Sequence, residues 1–241
     1  MPHRGQALRA DHLSAALLDG IPAGGAGDNG RLSPERAKVI AWGLAVLALL
    51  LAALGPVPCL TALVAAQFLS GYAYSAPGIA LKRRTSTAVL CILALGGLTF
   101  AAGWACAGGG NRATLPVLVF GTVMTLWMGA VGAMVKDLSD LVGDAAAGRR
   151  TVLVRWGERR ARMICATNPL VLGAAYTAAA TAVPVLLPSA LLLLCGALAT
   201  AVLTVTTSSS EPRSRSRLPY RAFMITQYAA CTAAFCCALA R

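Results

Sequence analysis

The chain has 241 residues, of which 57% are hydrophobic and only 12% charged, with mean hydropathy +0.68. A soluble globular chain averages about 45–50% apolar and about 25% charged residues, so the charges here are too few to clothe a water-facing surface, and disorder would need low hydrophobicity with high net charge. The class that remains is an all-α polytopic transmembrane bundle, because lipid cannot satisfy exposed backbone groups. A transmembrane barrel is excluded because its strands alternate polar and apolar residues, whereas these runs are apolar all round.

In chain order, residues 1–29 form a polar, glycine-rich N-terminal segment that is expected to be poorly ordered, and residues 30–241 form the membrane domain. The first segment has no apolar core of the length a signal peptide requires. Ser33-Pro34 reads as an N-cap with proline at the first helical position. Seven apolar segments come after it, at roughly Ala37–Leu54, Pro58–Gly71, Thr87–Ala105, Leu115–Val135, Ile164–Val183, Ser189–Val205 and Tyr220–Ala240. A helix crosses the hydrocarbon core with about 20 residues. The Gly55-Pro56-Val57-Pro58 turn and the Pro184/Pro188 pair leave only short connections, making two helical hairpins.

The net charge of +12 comes from 21 Lys and Arg against 9 Asp and Glu. No basic stretch is interleaved with aromatics as base stacking would need, so nucleic acid is not the expected partner. Orientation accounts for the surplus instead. With the N-terminus inside, alternating helices place 19 of the 21 basic residues on the cytoplasmic side, leaving Arg112 and Arg241 outside.

The eight cysteines lie mostly within apolar segments, where a thiol behaves as a small hydrophobe. Both histidines, His3 and His12, are in the polar N-terminal segment.

The informative stretch is Lys136-Asp137-Leu138-Ser139-Asp140-Leu141-Val142-Gly143-Asp144, and then Gly148-Arg149-Arg150-Thr151. Three of the nine acidic residues fall within eight positions, at the cytoplasmic end of the fourth segment. On a helix, positions i, i+3 and i+7 share a face, so Asp137, Asp140 and Asp144 can converge. Three like charges repel unless a cation neutralises them, and Mg²⁺ typically takes one or two carboxylates with waters and substrate phosphates. The cluster and the basic residues after it read as a metal-bridged diphosphate site. A second stretch, Tyr72-Ala73-Tyr74-Ser75-Ala76-Pro77-Gly78-Ile79-Ala80-Leu81-Lys82-Arg83-Arg84, fills the loop between segments two and three. Alone it reads as a helix end with ordinary positive-inside charge after it.

Together the two stretches resemble the UbiA superfamily of intramembrane prenyltransferases. The Asp137–Asp144 stretch is similar to the family's second Asp-rich motif, in the form found in the aromatic-acceptor branch that includes homogentisate prenyltransferases. The Tyr-Ser-x-Pro…Leu-Lys stretch is similar to the loop between the fourth and fifth family helices. Gly30-Arg31-Leu32-Ser33 resembles the approach to the third. On this resemblance the seven segments match family helices three to nine. The resemblance implies a central cavity in which an isoprenoid diphosphate is held through Mg²⁺, and an aromatic or similar hydrophobic acceptor captures the allylic cation. It implies metal-binding and catalytic roles for Asp137, Asp140 and Asp144, a catalytic and phosphate-binding role for Lys82, phosphate contacts from Arg149 and Arg150, and a place for Tyr74 at the cavity mouth. The family's first motif is not found in residues 1–29, whose Asp11, Asp19 and Asp28 have the wrong spacing. Weak activity alone, completion by a second protomer or partner membrane protein, or an earlier start codon are the corresponding expectations. A non-catalytic lipid-diphosphate binder and a terpene cyclase of the same fold are the alternative readings.

Overall fold

The computed structural model describes residues 33–76, 78–108, 114–139, 141–146 and 148–240. The expectations for residues 1–29, for Asp140 and for Arg112 and Arg241 lie outside the described residues. The chain divides into two compact units, residues 1–51 and 52–241. The first unit contributes nearly all of α1 (Pro34–Leu54). Its start is built as the sequence suggests: the Arg36 amide donates to Ser33 Oγ at 3.4 Å, and Glu35 stands in the first turn. Glu35 also pairs with Lys38 at 2.9 Å, an exposed pair of little energetic weight.

The second unit runs through α2 (Pro58–Ser75), a 3-10 turn (Leu81–Arg83), α3 (Thr85–Cys106), α4 (Thr114–Leu126), a π-helical turn (Trp127–Gly132) and α5 (Ala133–Asp137). It continues through α6 (Leu141–Ala146), α7 (Val152–Trp156), α8 (Glu158–Ala182), α9 (Leu187–Thr206), α10 (Arg213–Ser216) and α11 (Leu218–Leu239). Among the described residues, six helical runs are long and apolar enough to cross a membrane. The seventh expected segment, α2, is an 18-residue helix whose apolar character is diluted by Gln67, Ser70, Tyr72, Tyr74 and Ser75. The protein is an all-α, polytopic integral membrane protein. The observed α8 starts six residues before the expected Ile164, because Arg159, Arg160 and Arg162 are helical without being apolar.

Helix α9 packs along both α8 and α11, and α2 packs along α3. The core is built around large rings. Trp127, Tyr176 and Phe223 are at most 1% exposed, and the Trp127 and Phe223 rings stack at 5.6 Å. Close approach depends on small residues, as expected where lipid supplies no hydrophobic drive between helices. A Cβ on Gly132 would collide with the Phe223 ring, and one on Gly196 with Thr226. Leu69, Leu90, Val171, Val202 and Ile225 point outward and are exposed, the surface that hydrocarbon covers.

The π turn was not expected from the apolar run. It inserts an extra residue per turn, rotating α5 by roughly 100° about the helix axis relative to an uninterrupted helix. Asn168 of α8 donates to Ala130 O at 2.9 Å, supplying a partner to a carbonyl within this distorted turn.

Candidate functional site

Two loops at one end of the second unit are tied together by backbone. After α2 the chain turns at Gly78 (φ 92°) and Ala80 (φ 39°), the latter a left-handed conformation that a non-glycine residue enters at a cost. That bend delivers Lys82 in the adjoining 3-10 turn. Arg84 and Arg150 then form an isolated parallel bridge, with the Arg150 amide donating to Arg83 O at 2.7 Å. Two residues on, the Val152 amide donates to Thr85 Oγ1 at 2.9 Å. The basic loop after α2 and the basic loop after the Asp-rich stretch are thereby held in register.

Their junction encloses a cavity of about 170 Å³, lined by Tyr74, Lys82, Ala88, Ala133, Lys136, Asp137, Arg149 and Thr151. Four residues singled out from sequence therefore meet in one place: Tyr74, Lys82, Asp137 and Arg149. Sequence reasoning gave Lys136 and Thr151 no site role, although both stand inside the motif as written. Lys136 Nζ lies 3.3 Å from Asp137 Oδ1. Arg149 Nη1 lies 2.8 Å from Asp144 Oδ1, and its amide donates to Asp144 O at 2.9 Å. Asp144 is 1% exposed, so it works from behind the cavity, fixing the guanidinium that the cavity presents. Arg150 contributes backbone only; its side chain is exposed and outside the cavity lining.

Asp137 and Asp144 do not sit on one continuous helix. Helix α5 ends at Asp137, residues 138–139 form a turn, and α6 begins at Leu141. Leu138, 1% exposed, is drawn into the core, while Ser139 Oγ donates to Lys136 O at 3.2 Å. Such a local side-chain bond competes with helix continuation. The turn is anchored from outside the motif, since Ser209 Oγ donates to Leu138 O at 2.7 Å. Ser209 N in turn donates to Glu158 Oε1 at 2.7 Å, and Arg162 Nε donates to the same oxygen at 2.8 Å. Buried Arg162 also reaches Thr204 O at 2.7 Å and Thr207 Oγ1 at 3.1 Å. This network holds the loop after α9 beneath the site, and nothing in its residue types marked it as a support.

Three cations and one carboxylate thus line a small chamber. Among the described residues, Lys82 has no carboxylate within ion-pair distance. A cationic chamber of this kind suits a multiply charged anion, with Lys as point charge and Arg as bidentate donor. As for a divalent metal, the described residues contain no group of three or more His, Cys, Asp or Glu that could cage one. Asp137 fits the looser arrangement in which Mg²⁺ takes a single carboxylate and completes its sphere with phosphate and water.

The fold and site together define a helical membrane protein with a small chamber, lined by three cations and a carboxylate, at one end of its bundle. The sequence comparison is specific: the UbiA prenyltransferase family matches residues 28–227, and the chain belongs to that family. It is similar to two Humulus lupulus proteins, a chloroplastic 2-acylphloroglucinol 4-prenyltransferase (34% identity) and a 2-acylphloroglucinol 4-prenyltransferase (33%), each over 145 residues. In both cases the match covers 56% of this chain and 34% of the relative, so the chain spans about a third of the length of the curated relatives it matches. No solved structure matches the chain.

Proposed function

We propose that the chain acts as an Mg²⁺-dependent intramembrane prenyltransferase, moving an isoprenoid group from its diphosphate to an aromatic or similar hydrophobic acceptor. The observation that carries this reading is the convergence of Lys82, Lys136 and Arg149 on Asp137 in one chamber, in a member of this family. Lys82 and Arg149 bind the diphosphate, and Asp144 holds Arg149 in place. Asp137 and the neighbouring Asp140 and Asp144 of the motif are the carboxylates available to Mg²⁺, with Asp137 at the chamber wall. Bound Mg²⁺ would supply neutralising charge to the departing diphosphate. The allylic C–O bond breaks with its electron pair leaving on diphosphate. A ring carbon of the acceptor then forms the new C–C bond and releases a proton. Tyr74 offers an aromatic face to the cationic fragment. The chamber faces the cytoplasm in this reading, in keeping with the sorting of basic residues.

The test uses the full 241-residue chain in nanodiscs, with Mg²⁺, prenyl diphosphates of several lengths and a panel of aromatic acceptors. Mg²⁺-dependent diphosphate release coupled to a prenylated acceptor is the expected result. Binding of prenyl diphosphate without release, with every acceptor, would make the chain a lipid-diphosphate binder instead. These residues hold one Asp-rich motif, so turnover by the chain alone is expected to be slow and to rise when a partner supplies a second metal position.

A further inference from the structure

A second basic feature lies outside the chamber and belongs to none of its chemistry. Helix α7 ends at Trp156, the chain reverses at Gly157 (φ 79°), and α8 starts at Glu158. Trp156, Arg159, Arg160, Met163 and Ile164 line a surface hollow of about 440 Å³. The spacing of Arg159, Arg160, Met163 and Ile164 puts those four on one face of α8, and Trp156 joins them from the end of α7. Trp156 is 47% and Met163 61% exposed, and both arginines are exposed.

Among the described residues, no ion pair compensates the charge in this hollow. Glu158, the nearest carboxylate in sequence, is turned away toward Arg162, Ser208 and Ser209. The other described carboxylates are engaged as well: Glu35 with Lys38, Asp137 with Lys136, Asp144 with Arg149 and Glu211 with Arg215. Among the described residues, no carboxylate lies within ion-pair distance of Arg159 or Arg160.

The position of the hollow names its occupant. Glu158–Ala182 is long and apolar enough to cross the membrane, so its first turns stand where hydrocarbon gives way to water. Tryptophan favours that level, guanidinium groups bind phosphate bidentately, and juxtamembrane basic residues attract anionic lipid. Met163 and Ile164 continue the same face toward the acyl region. We infer that this hollow binds the headgroup phosphate of an anionic phospholipid, with Arg159 and Arg160 as its ligands and Trp156 alongside the glycerol backbone.

The experiment places the full chain in nanodiscs containing phosphatidylcholine with a fixed minor fraction of either brominated phosphatidylglycerol or brominated phosphatidylcholine. The Trp156 contribution to fluorescence is isolated by difference from Trp156→Phe. Brominated phosphatidylglycerol should quench that contribution at least threefold more than brominated phosphatidylcholine. The preference should vanish in Arg159→Gln/Arg160→Gln and survive in Arg159→Lys/Arg160→Lys. Both arginines are exposed, so the glutamine variant should keep its thermal midpoint; if it aggregates, Arg160→Gln alone reads the same preference. Equal quenching by the two lipids, or a preference unchanged in the glutamine variant, would overturn the inference. So would loss of the preference on adding soluble glycerol phosphate, which would assign the hollow to a free phosphate.

Discussion

Two cavities at opposite ends of the second unit divide volume from chemistry. The larger, about 620 Å³, is lined by residues such as Phe100, Phe120, Leu186 and Phe235. The smaller, about 170 Å³, has Lys82, Lys136, Asp137 and Arg149 in its wall. Both touch α3, the small one at Ala88 and the large one at Phe100, which are about 18 Å apart along the helix. The large cavity is lined by rings and aliphatic groups alone, apart from Cys231. The charges of the small one come from three segments: Lys82 from the 3-10 turn, Lys136 and Asp137 from α5, and Arg149 from the loop after α6, where Asp144 holds its guanidinium.

The strongest way to break this contrast is to remove the bond that fixes the small cavity's guanidinium. Arg149→Gln leaves the buried Asp144 carboxylate without its 2.8 Å guanidinium contact. Losing one partner of a buried ion pair costs about 3–5 kcal/mol, and the low end applies because Arg149 is one-third exposed. The thermal midpoint in detergent should fall clearly. Arg149→Gln paired with Asp144→Asn should recover part of that loss, since the buried carboxylate's charge goes too. Equal midpoints for the single and double variants would mean that the pair is not what orders the loop.

Next in size is a change beneath the chamber. Gly132→Ala places a methyl into the Phe223 ring that stacks on Trp127. Overpacking a core costs about 1–3 kcal/mol, measured as a drop in denaturation midpoint. The same substitution at Gly97, where a Cβ would meet open space, should leave the midpoint almost unchanged. A Gly132→Ala midpoint no lower than that of Gly97→Ala would show that helix packing around the π turn is looser than the stacked rings indicate.

Asp137→Asn tests the chamber's carboxylate directly. It keeps size and removes the charge on which Mg²⁺ coordination depends. Mg²⁺-dependent binding of a prenyl diphosphate should weaken at least tenfold, about 1.4 kcal/mol, read by titration in nanodiscs. Binding that is unchanged by the substitution would return Asp137 to an ordinary partner for Lys136.

The same contrast separates the residues that a sequence reveals from those it hides. Charges are scarce in this chain, so the Asp137–Asp144 cluster and the arginines after it stand out as letters, Lys82 is singled out only through the family resemblance, and the membrane fold is implied by the apolar runs. The large cavity is invisible in sequence because Phe100 and Phe235 look like any other lipid-facing or core residues. The break after Asp137 is hidden because heptad-like spacing suggests a continuous face, while the deciding partners, Ser209 and Glu158, lie far along the chain. The π turn is hidden for a related reason: its Asn168 partner lies in another helix, 38 residues along the chain from Ala130. Local pattern specifies the elements; contacts between distant segments set where the elements stop.

The smallest expected effect separates two basic residues that look alike in sequence. Lys82 lines the chamber, with no carboxylate partner among the described residues. The Arg150 side chain is exposed and outside the lining, though its backbone amide ties the two loops at 2.7 Å. A side-chain substitution leaves that amide in place. Arg150→Gln should therefore change neither stability nor diphosphate binding by more than about 0.5 kcal/mol, the usual range for an exposed site. Lys82→Gln should also leave stability nearly intact, because no intramolecular pair among the described residues is lost. It should nevertheless weaken diphosphate binding several-fold, since an ammonium that faces the ligand is removed. The weakening should be steeper at low ionic strength, where an exposed charge is least screened. If Arg150→Gln weakens binding as much as Lys82→Gln at every salt concentration, the chamber does not select its anion by contact. The whole basic end of the bundle would then be acting as a diffuse field.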